Sequence, residues 1–350
     1  MKLSNILLSW MPRRIFFVAG LIGWLLACQE KTTERPAEVV RPPLFRVAST
    51  LQLPAQPLGL AVADMNNDGF PEIIALHQKG ISYWTNNRQL TFQQAFGIPE
   101  GLQSFALTLA DLDGDGYLDI FAPPYLLHNR RDHTFGPNTD IQGLPSDACT
   151  VPFGFFDLDK DGDLDFQSGS RTWQRHHNQF REQDLPRLSL SPYLYLDATL
   201  NGSGDALAIK NKQVTSDSYR FLGDNLAFLV AADLDRDGDP DLVALDADGK
   251  LHIHQNRARE QYPQHHYLRL RLIGSPSNYH SIGARVRIGT QTYENLPQTP
   301  FGMQPPLLHL GLGTSQSIEQ IQVQWPDGRS LVLENIRANQ DLTLHQNHAQ

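Results

Sequence analysis

Cysteine is scarce in this sequence: only two of its 350 residues are cysteines, Cys28 and Cys149. With so few thiols the fold cannot depend on disulfide bonds, so packing or bound ions must stabilise it. We interpret Cys149 as a small buried apolar residue rather than a reactive thiol, because no histidine lies near it in the sequence. Long hydrophobic runs are scarce too. The one pronounced run, residues 15–27, covers 13 residues and is too short to cross a bilayer.

The signatures of several large enzyme classes are also missing. The sequence contains no G-x-S-x-G nucleophile elbow, no Walker phosphate loop, no complete G-x-G-x-x-G and no H-E-x-x-H. Gly311 and Gly313 lack a third glycine and lie between strand-like runs, which indicates a turn. We therefore predict no catalytic residues and expect that the protein is not an enzyme.

The N-terminus predicts export and lipid attachment. Residues 1–27 hold three basic residues and no acidic one, and their apolar run ends directly before Cys28. The sequence Leu-Leu-Ala-Cys at 25–28 resembles the lipobox of bacterial lipoproteins, which implies a signal peptide at 1–27 and a lipidated Cys28. A plain signal peptide or a short N-terminal anchor is the alternative. The polar, proline-containing segment 28–43 is typical of a flexible tether, and Gln29 favours the outer membrane by the same resemblance.

The charge balance restricts the partners. Removing residues 1–27 moves the formal net charge from −9 to −12, because only basic residues are lost. An acidic surface argues against nucleic acid or anionic lipid as a partner and is typical of a chain that binds cations.

Four ungapped repeats carry the acidic residues. Each has carboxylate or amide oxygens at positions 1, 3 and 5, a glycine at position 6 and a carboxylate at position 9. The predicted ligands are Asp64, Asn66, Asp68 and Glu72; Asp111, Asp113, Asp115 and Asp119; Asp157, Asp159, Asp161 and Asp165; and Asp233, Asp235, Asp237 and Asp241. A turn sequence alone could explain one such loop, but not four copies with the same five positions.

The spacing fits calcium. Ca²⁺ takes six to eight oxygen ligands at about 2.3–2.6 Å, and alternate residues of a tight loop point toward one centre. An EF-hand needs a bidentate Glu at position 12, where these loops have only alanine or serine. Strand-like runs flank each loop, so we predict metal loops that join two buried strands.

The spacing of the loops predicts the number of sheets. The first three start 47 and 46 residues apart, the length of a four-stranded propeller blade. The next interval, 76 residues, fits two blades. It contains a weakened copy of the loop, in which Asp197, Asn201 and Asp205 are the candidate ligands. We therefore predict about five blades, four tight calcium ions and a weaker fifth. The strand-like segment 44–51 would supply the missing outer strand of the last blade and close the ring.

These loops resemble the FG-GAP or VCBS repeats of integrin-type β-propellers, over about residues 44–260. From 265 to 346, alternating strands carry fragments that resemble the ASPIC/UnbV domain, as in cartilage acidic protein and its bacterial relatives. The fragments include Ile282–Val286, Leu308–Gly313 and Trp325–Arg329. The resemblance implies an all-β protein: a calcium-binding β-propeller followed by an antiparallel β domain.

The expected function is recognition or scaffolding. We expect an outer-membrane lipoprotein, facing the periplasm or the cell exterior, that binds a protein or glycan partner through propeller loops. The alternative is a polysaccharide-active enzyme, or an accessory to one, with a site in the central channel of the propeller.

Overall fold

The computed structural model describes residues 43–146, 153–189 and 193–349, which belong to one compact unit. The predicted signal peptide, nearly all of the tether, Cys28 and Cys149 lie outside these residues. Across the described chain the structure is almost entirely β. The helices are a short α1 (Ala258–Gln261) and the 3₁₀ turns Asp217–Leu222, Pro276–Asn278 and Gln346–His348. No helix in the described ranges is long and apolar enough to cross a membrane.

Two consecutive antiparallel sheets follow from the first two repeats. In each, an apolar run precedes the acidic loop and another follows it, and both runs are buried strands. Unit 1 contains β2 (Pro57–Ala63), β3 (Glu72–His77), β4 (Gly80–Asn86) and β5 (Phe92–Ala95). Unit 2 contains β6 (Thr108–Ala110), β7 (Asp119–Ala122), β8 (Tyr125–Asn129) and β9 (Phe135–Pro137).

The third and last repeats form two further four-stranded sheets. Unit 3 contains β10 (Phe153–Phe156), β11 (Asp165–Ser168), β12 (Arg171–His176) and β13 (Gln179–Glu182). Unit 5 contains β18 (Leu226–Ala232), β19 (Asp241–Asp246) and β20 (Lys250–Asn256), with β1 (Phe45–Gln52) as its outer strand. The pairing of β1 with β20 is antiparallel and runs from Phe45 opposite Asn256 to Gln52 opposite Lys250. The N-terminal strand therefore completes the last sheet, as the sequence predicts.

The segment with the weakened loop pairs differently. Unit 4 consists of two separate hairpins, β14 (Leu194–Leu196) with β15 (Asp205–Leu207) and β16 (Ile209–Lys210) with β17 (Gln213–Val214). These short strands do not join into one four-stranded sheet. The count of five blades therefore stays a prediction.

Shared hydrophobic cores order the units around a ring. Units 1 and 2 share one buried cluster, units 2 and 3 a second, units 1 and 5 a third, and units 4 and 5 a fourth. The order is therefore 4-5-1-2-3, and among the described residues no hydrophobic cluster joins unit 3 to unit 4. Each large side chain buried in these cores, such as Phe121 or Phe166, contributes about 1.5–3 kcal/mol.

The C-terminal segment forms two sheets around a separate core. One contains β26 (Leu308–Gly313), β21 (His266–Ile273) and β29 (Gln340–His345); the other contains β23 (Gln291–Glu294), β22 (Arg285–Ile288), β27 (Ser317–Gln324) and β28 (Ser330–Arg337). Their apolar faces pack together around the buried Trp325. Residues 326–328 lie in the turn that joins β27 to β28 as a hairpin.

A small hairpin from the C-terminal segment occupies the middle of the ring. It consists of β24 (Gln298–Thr299) and β25 (Gly302–Met303), and Met303 pairs with Ala61 in the first strand of unit 1. The N–H of Leu229 in unit 5 donates to the carbonyl of Phe301 over 3.0 Å. The Thr108 hydroxyl in unit 2 donates to Gln298 over 3.1 Å. The hairpin thus bonds to the innermost strands of three units.

Candidate metal centre

The acidic loops all lie at equivalent places, between the first and second strands of their units. Loops 1 to 5 are residues 64–72, 111–119, 157–165, 197–205 and 233–241. In each one a carboxylate oxygen of position 1 accepts the N–H of the glycine at position 6, over 2.8–3.1 Å. These five glycines have φ between 84° and 96°, which residues with a side chain rarely adopt. The predicted role of the turn glycine therefore agrees with the structure.

The carboxylate at position 9 is the most deeply buried predicted ligand. Glu72, Asp119, Asp165 and Asp241 are at most 1% exposed. Each accepts the N–H of position 2 of its own loop, over 2.8–3.4 Å. In units 2, 3 and 5 it also accepts an N–H from the third strand, over 2.8–2.9 Å. The first residue of the second strand thus places a buried carboxylate beneath the loop.

Burial makes these loops electrostatically unfavourable as bare anions. Desolvation, followed by the nearby carboxylates, raises the pKa of Asp119 and Glu72 to about 8 and that of Asp165 and Asp233 to about 7. The backbone N–H donors lower these pKa values but do not offset the burial. A divalent cation would neutralise the clustered charge.

Three loops bring their donors together. In loop 3 Asp157, Asp159 and Asp165 offer oxygens within 4.8 Å of one another, and in loop 5 Asp233, Asp235 and Asp241 do the same. Loop 2 groups Asp113 and Asp115 with His128, a residue of β8 that the sequence reasoning missed.

Two buried carboxylate oxygens indicate that loops 3 and 5 can bind a cation. Oδ1 of Asp157 and Oδ1 of Asp233 are buried and have no hydrogen-bond partner. A buried, unpaired carboxylate oxygen costs free energy unless a cation or donor meets it. The donor sets of loops 3 and 5, oxygen only, fit the predicted Ca²⁺.

Two arginines neutralise part of the negative charge of loop 1. Arg271 Nη2 lies 3.3 Å from Asp64 Oδ2, and Arg88 Nη2 lies 3.2 Å from Asp68 Oδ2. Asn66 Nδ2 lies 3.3 Å from His133 Nε2. Two of its four predicted ligands therefore already contact a cationic side chain.

Loop 4 does not bring its two acids to one centre. Asp197 accepts the N–H groups of Asn201 and Gly202 over 3.1 and 2.8 Å, as in the other loops. Asp205, in contrast, is exposed, and one of its oxygens accepts the hydroxyl of Tyr219 over 2.6 Å. No group of three metal donors forms in the described part of this loop.

The remaining ligand candidates lie on the loop rims. Asp161 and Asp237 occupy position 5, where each accepts the N–H two residues on, over 2.9 Å. Burial raises the pKa of Asp237 to about 8. Neither residue belongs to a three-donor group among the described residues.

In units 1, 2 and 5 an asparagine at the end of the third strand links the loop to a neighbouring unit. Asn86 Nδ2 donates to the carbonyls of Pro71 in loop 1 and Leu234 in loop 5, over 3.0 and 2.8 Å. Asn129 and Asn256 make the matching pairs of bonds in units 2 and 5. The bond from Asn86 to Leu234 joins the first and last units, which closes this part of the ring.

The C-terminal segment covers the loop-bearing face. Arg269, which is 5% exposed, places Nη1 2.5 Å from Asp233 Oδ2 and Nε 2.5 Å from Asp341 Oδ1. Ser275 donates its hydroxyl to the carbonyl of Gly162 in loop 3 over 2.9 Å. Arg269 belongs to the polar face of β21, and Asp233 in loop 5 and Asp341 provide its partners.

A cavity of about 910 Å³ remains between this segment and the propeller face. Its walls include Tyr193, Tyr195 and Tyr293, together with Arg236 and Asp341. Tyr195 is 59% exposed and Tyr193 is 40% exposed, and their ring centroids lie 6.3 Å apart. The cavity therefore offers both aromatic faces and charged groups to a ligand.

Solved structures resemble the chain only distantly. An N-acetylglucosamine-recognising lectin from Agrocybe aegerita matches at 20% identity and a TM-score of 0.27, covering 57% of this chain and 61% of the lectin chain. The chain thus spans less than two thirds of that lectin. BBS1N, solved in complex with ARL6DN, matches at 9% identity and a TM-score of 0.36, covering 62% of this chain and 98% of its own. The Vibrio cholerae biofilm matrix protein Bap1 matches at 14% identity and a TM-score of 0.26, covering 81% and 60%.

Family models match two parts of the sequence, whereas the search of curated proteins finds no match. Residues 64–122, which contain loops 1 and 2, match the FG-GAP-like repeat. Residues 274–350 match the model described as ASPIC and UnbV. FG-GAP repeats form β-propellers, and the antiparallel sheets of the structure agree with that fold. The chain therefore combines an FG-GAP-like β-propeller with a C-terminal ASPIC/UnbV domain, as its motifs predict.

Proposed function

We propose that this chain is a calcium-stabilised recognition protein of the cell envelope, anchored by lipid on Cys28 and binding a protein or glycan partner. The FG-GAP-like and ASPIC/UnbV regions support an extracellular β-propeller protein. The observation that carries the calcium part is the pair of buried, unpartnered oxygens on Asp157 and Asp233, within groups of three carboxylates. Calcium would hold these loops, and the loops would hold the C-terminal segment.

The aromatic cavity is the proposed ligand site. Tyrosine rings bind the apolar faces of sugars and of peptide side chains, while nearby charged groups fix orientation. Tyr195 presents the largest exposed ring there, and Arg236 lies in the same wall. Arg236 also pairs with Asp341 over 2.6 Å, so its guanidinium is already oriented.

Two observations disfavour the alternative of an enzyme acting in the channel. The hairpin 298–303 occupies the middle of the ring and bonds to three units. The cavity acids Asp64 and Asp233 each pair with an arginine, so they are poorly placed to exchange protons with a substrate.

Glycan and protein capture tests the proposal. Immobilised mature protein should retain a specific glycan or envelope protein in calcium, and Tyr195→Ala should lower that affinity at least tenfold. Phe96→Ala is the matched control, because Phe96 is 84% exposed and lies outside the cavity wall. Equal retention by Tyr195→Ala and the wild type would contradict the cavity as the ligand site. Turnover of a captured polysaccharide would favour the enzyme instead.

A further inference from the structure

Loop 2 differs from loops 3 and 5 in the side chain that approaches its position-3 aspartate. In units 3 and 5 this side chain is a glutamine from the third strand. Gln174 Nε2 donates to Asp159 over 2.6 Å, and Gln255 Nε2 donates to Asp235 over 2.8 Å. In unit 2 the equivalent residue, directly before the linking asparagine Asn129, is His128.

The imidazole of His128 lies close to two carboxylates but forms no aligned hydrogen bond to either. Its Nδ1 lies 2.8 Å from Asp113 Oδ2 and 3.3 Å from Asp119 Oδ1. This nitrogen is buried and has no hydrogen-bond partner, although the side chain as a whole is 34% exposed. An imidazole that served only as a hydrogen-bond donor to Asp113 would align with it. Nδ1 instead lies within 3.3 Å of both carboxylates at once.

The first aspartate of loop 2 has no oxygen without a hydrogen bond. Both oxygens of Asp111 accept backbone N–H groups, from Gly114 and Gly116 over 2.8 Å each. In loops 3 and 5, in contrast, position 1 keeps an unpartnered oxygen. The donor group of loop 2 accordingly consists of positions 3 and 5 with His128, whereas that of loops 3 and 5 consists of positions 1, 3 and 9.

A nitrogen donor changes which ions the site prefers. Calcium prefers oxygen ligands, whereas imidazole suits zinc, copper, nickel and related dications. Two ligands that each lie about 2.0–2.1 Å from one zinc-sized ion, at tetrahedral to right angles, are about 2.8–3.4 Å apart. The separations of 2.8 and 3.3 Å around His128 Nδ1 lie in that range.

We propose that loop 2 is a mixed nitrogen–oxygen site for a transition-metal dication of the zinc or cobalt class. Its ligands are His128 Nδ1 and the carboxylates of Asp113 and Asp119, with Asp115, whose Oδ2 also pairs with Arg131 over 2.8 Å, as a further donor. This goes beyond the calcium proposal, because it gives the chain two kinds of metal site. Loops 3 and 5 offer only oxygen ligands, whereas the imidazole of loop 2 favours a transition-metal dication.

Cobalt titration of the untagged mature protein tests the site. In saturating Ca²⁺, the wild type should bind one Co²⁺ per chain, read from its visible absorbance. His128→Gln, which recreates the side chain of units 3 and 5, should weaken Co²⁺ binding at least tenfold and keep calcium stabilisation. His176→Gln is the matched control, because His176 is an exposed histidine of β12 outside the donor groups. Equal Co²⁺ affinity in His128→Gln and the wild type would overturn the proposal.

A second measurement needs no variant. With one equivalent of Cu²⁺ bound to the calcium-loaded wild type, pulsed electron paramagnetic resonance should detect one coordinated imidazole nitrogen. A spectrum without nitrogen coupling would overturn the proposal even if His128→Gln did not fold. The calcium proposal has its own test, because equal melting temperatures with and without Ca²⁺ would refute it. The cobalt and copper signals do not depend on that result.

Discussion

The bond between the first and last units can be tested with one pair of neighbouring asparagines. Asn86 is 8% exposed, and its amide donates to the buried carbonyls of Pro71 and Leu234. Its own oxygen accepts the N–H of Arg88 over 2.8 Å. Asn87, the next residue, is exposed. Asn86→Ala therefore removes the ring-closing bond, whereas Asn87→Ala changes the same residue type at the surface.

The structure sets the expected size of the effect. Asn86→Ala leaves two buried carbonyls without this donor, at about 1–3 kcal/mol each, or about 2–6 kcal/mol in total. For a chain of this size each kcal/mol lowers the melting temperature by about 2 °C, so the expected decrease is about 4–12 °C. Asn87→Ala should stay within about 0.5 kcal/mol of the wild type.

Circular dichroism melts in excess calcium provide the assay. We expect a lower melting temperature for Asn86→Ala than for the wild type and an unchanged one for Asn87→Ala. If the two variants melted together, the link between units 1 and 5 would contribute nothing measurable, and the reasoning about ring closure would be refuted.

Three further predictions follow from the loops and the N-terminus. Asp235→Ala should remove one tightly bound calcium and lower stability, whereas Asp197→Ala should change neither, and calorimetry that shows Asp197→Ala losing a tight ion would contradict the weak fourth loop. In chelator, the free energy of unfolding should fall as the pH rises from about 5 to 8. In that window the folded state retains protons on Asp165 and Asp233 of loops 3 and 5, whose pKa burial raises to about 7, while unfolded carboxyls lose them near 4. Saturating calcium should remove that dependence on pH, and stability that rises with pH in chelator would contradict this prediction. A fatty-acid probe should label the wild type and not Cys28→Ser, so equal labelling would exclude lipidation at Cys28.

Local spacing made much of the propeller predictable. The acids, the turn glycine and the flanking apolar runs act within nine residues, so the loops between paired strands could be located from the sequence alone. The role of β1 followed from a different rule, since the last unit lacked a strand and the first strand lacked a partner.

Contacts between distant segments could not be predicted in this way. The partners of Asn86 lie 15 and 148 residues away, and nothing in its own sequence context identifies them. The alternation of β21 indicated a polar face, but not that Arg269 on that face would meet Asp233. His128 is one histidine among 13, and only the pairing of β7 with β8 brings it to loop 2.

The central claim is that bound calcium stabilises the acidic loops. Thermal melts of the mature protein in excess Ca²⁺ and in EGTA test it most directly. Each filled site should add about 2.7 kcal/mol at a hundredfold excess over its dissociation constant, so several sites together should raise the melting temperature by many degrees. Melting curves that superimpose in Ca²⁺ and EGTA would contradict the account.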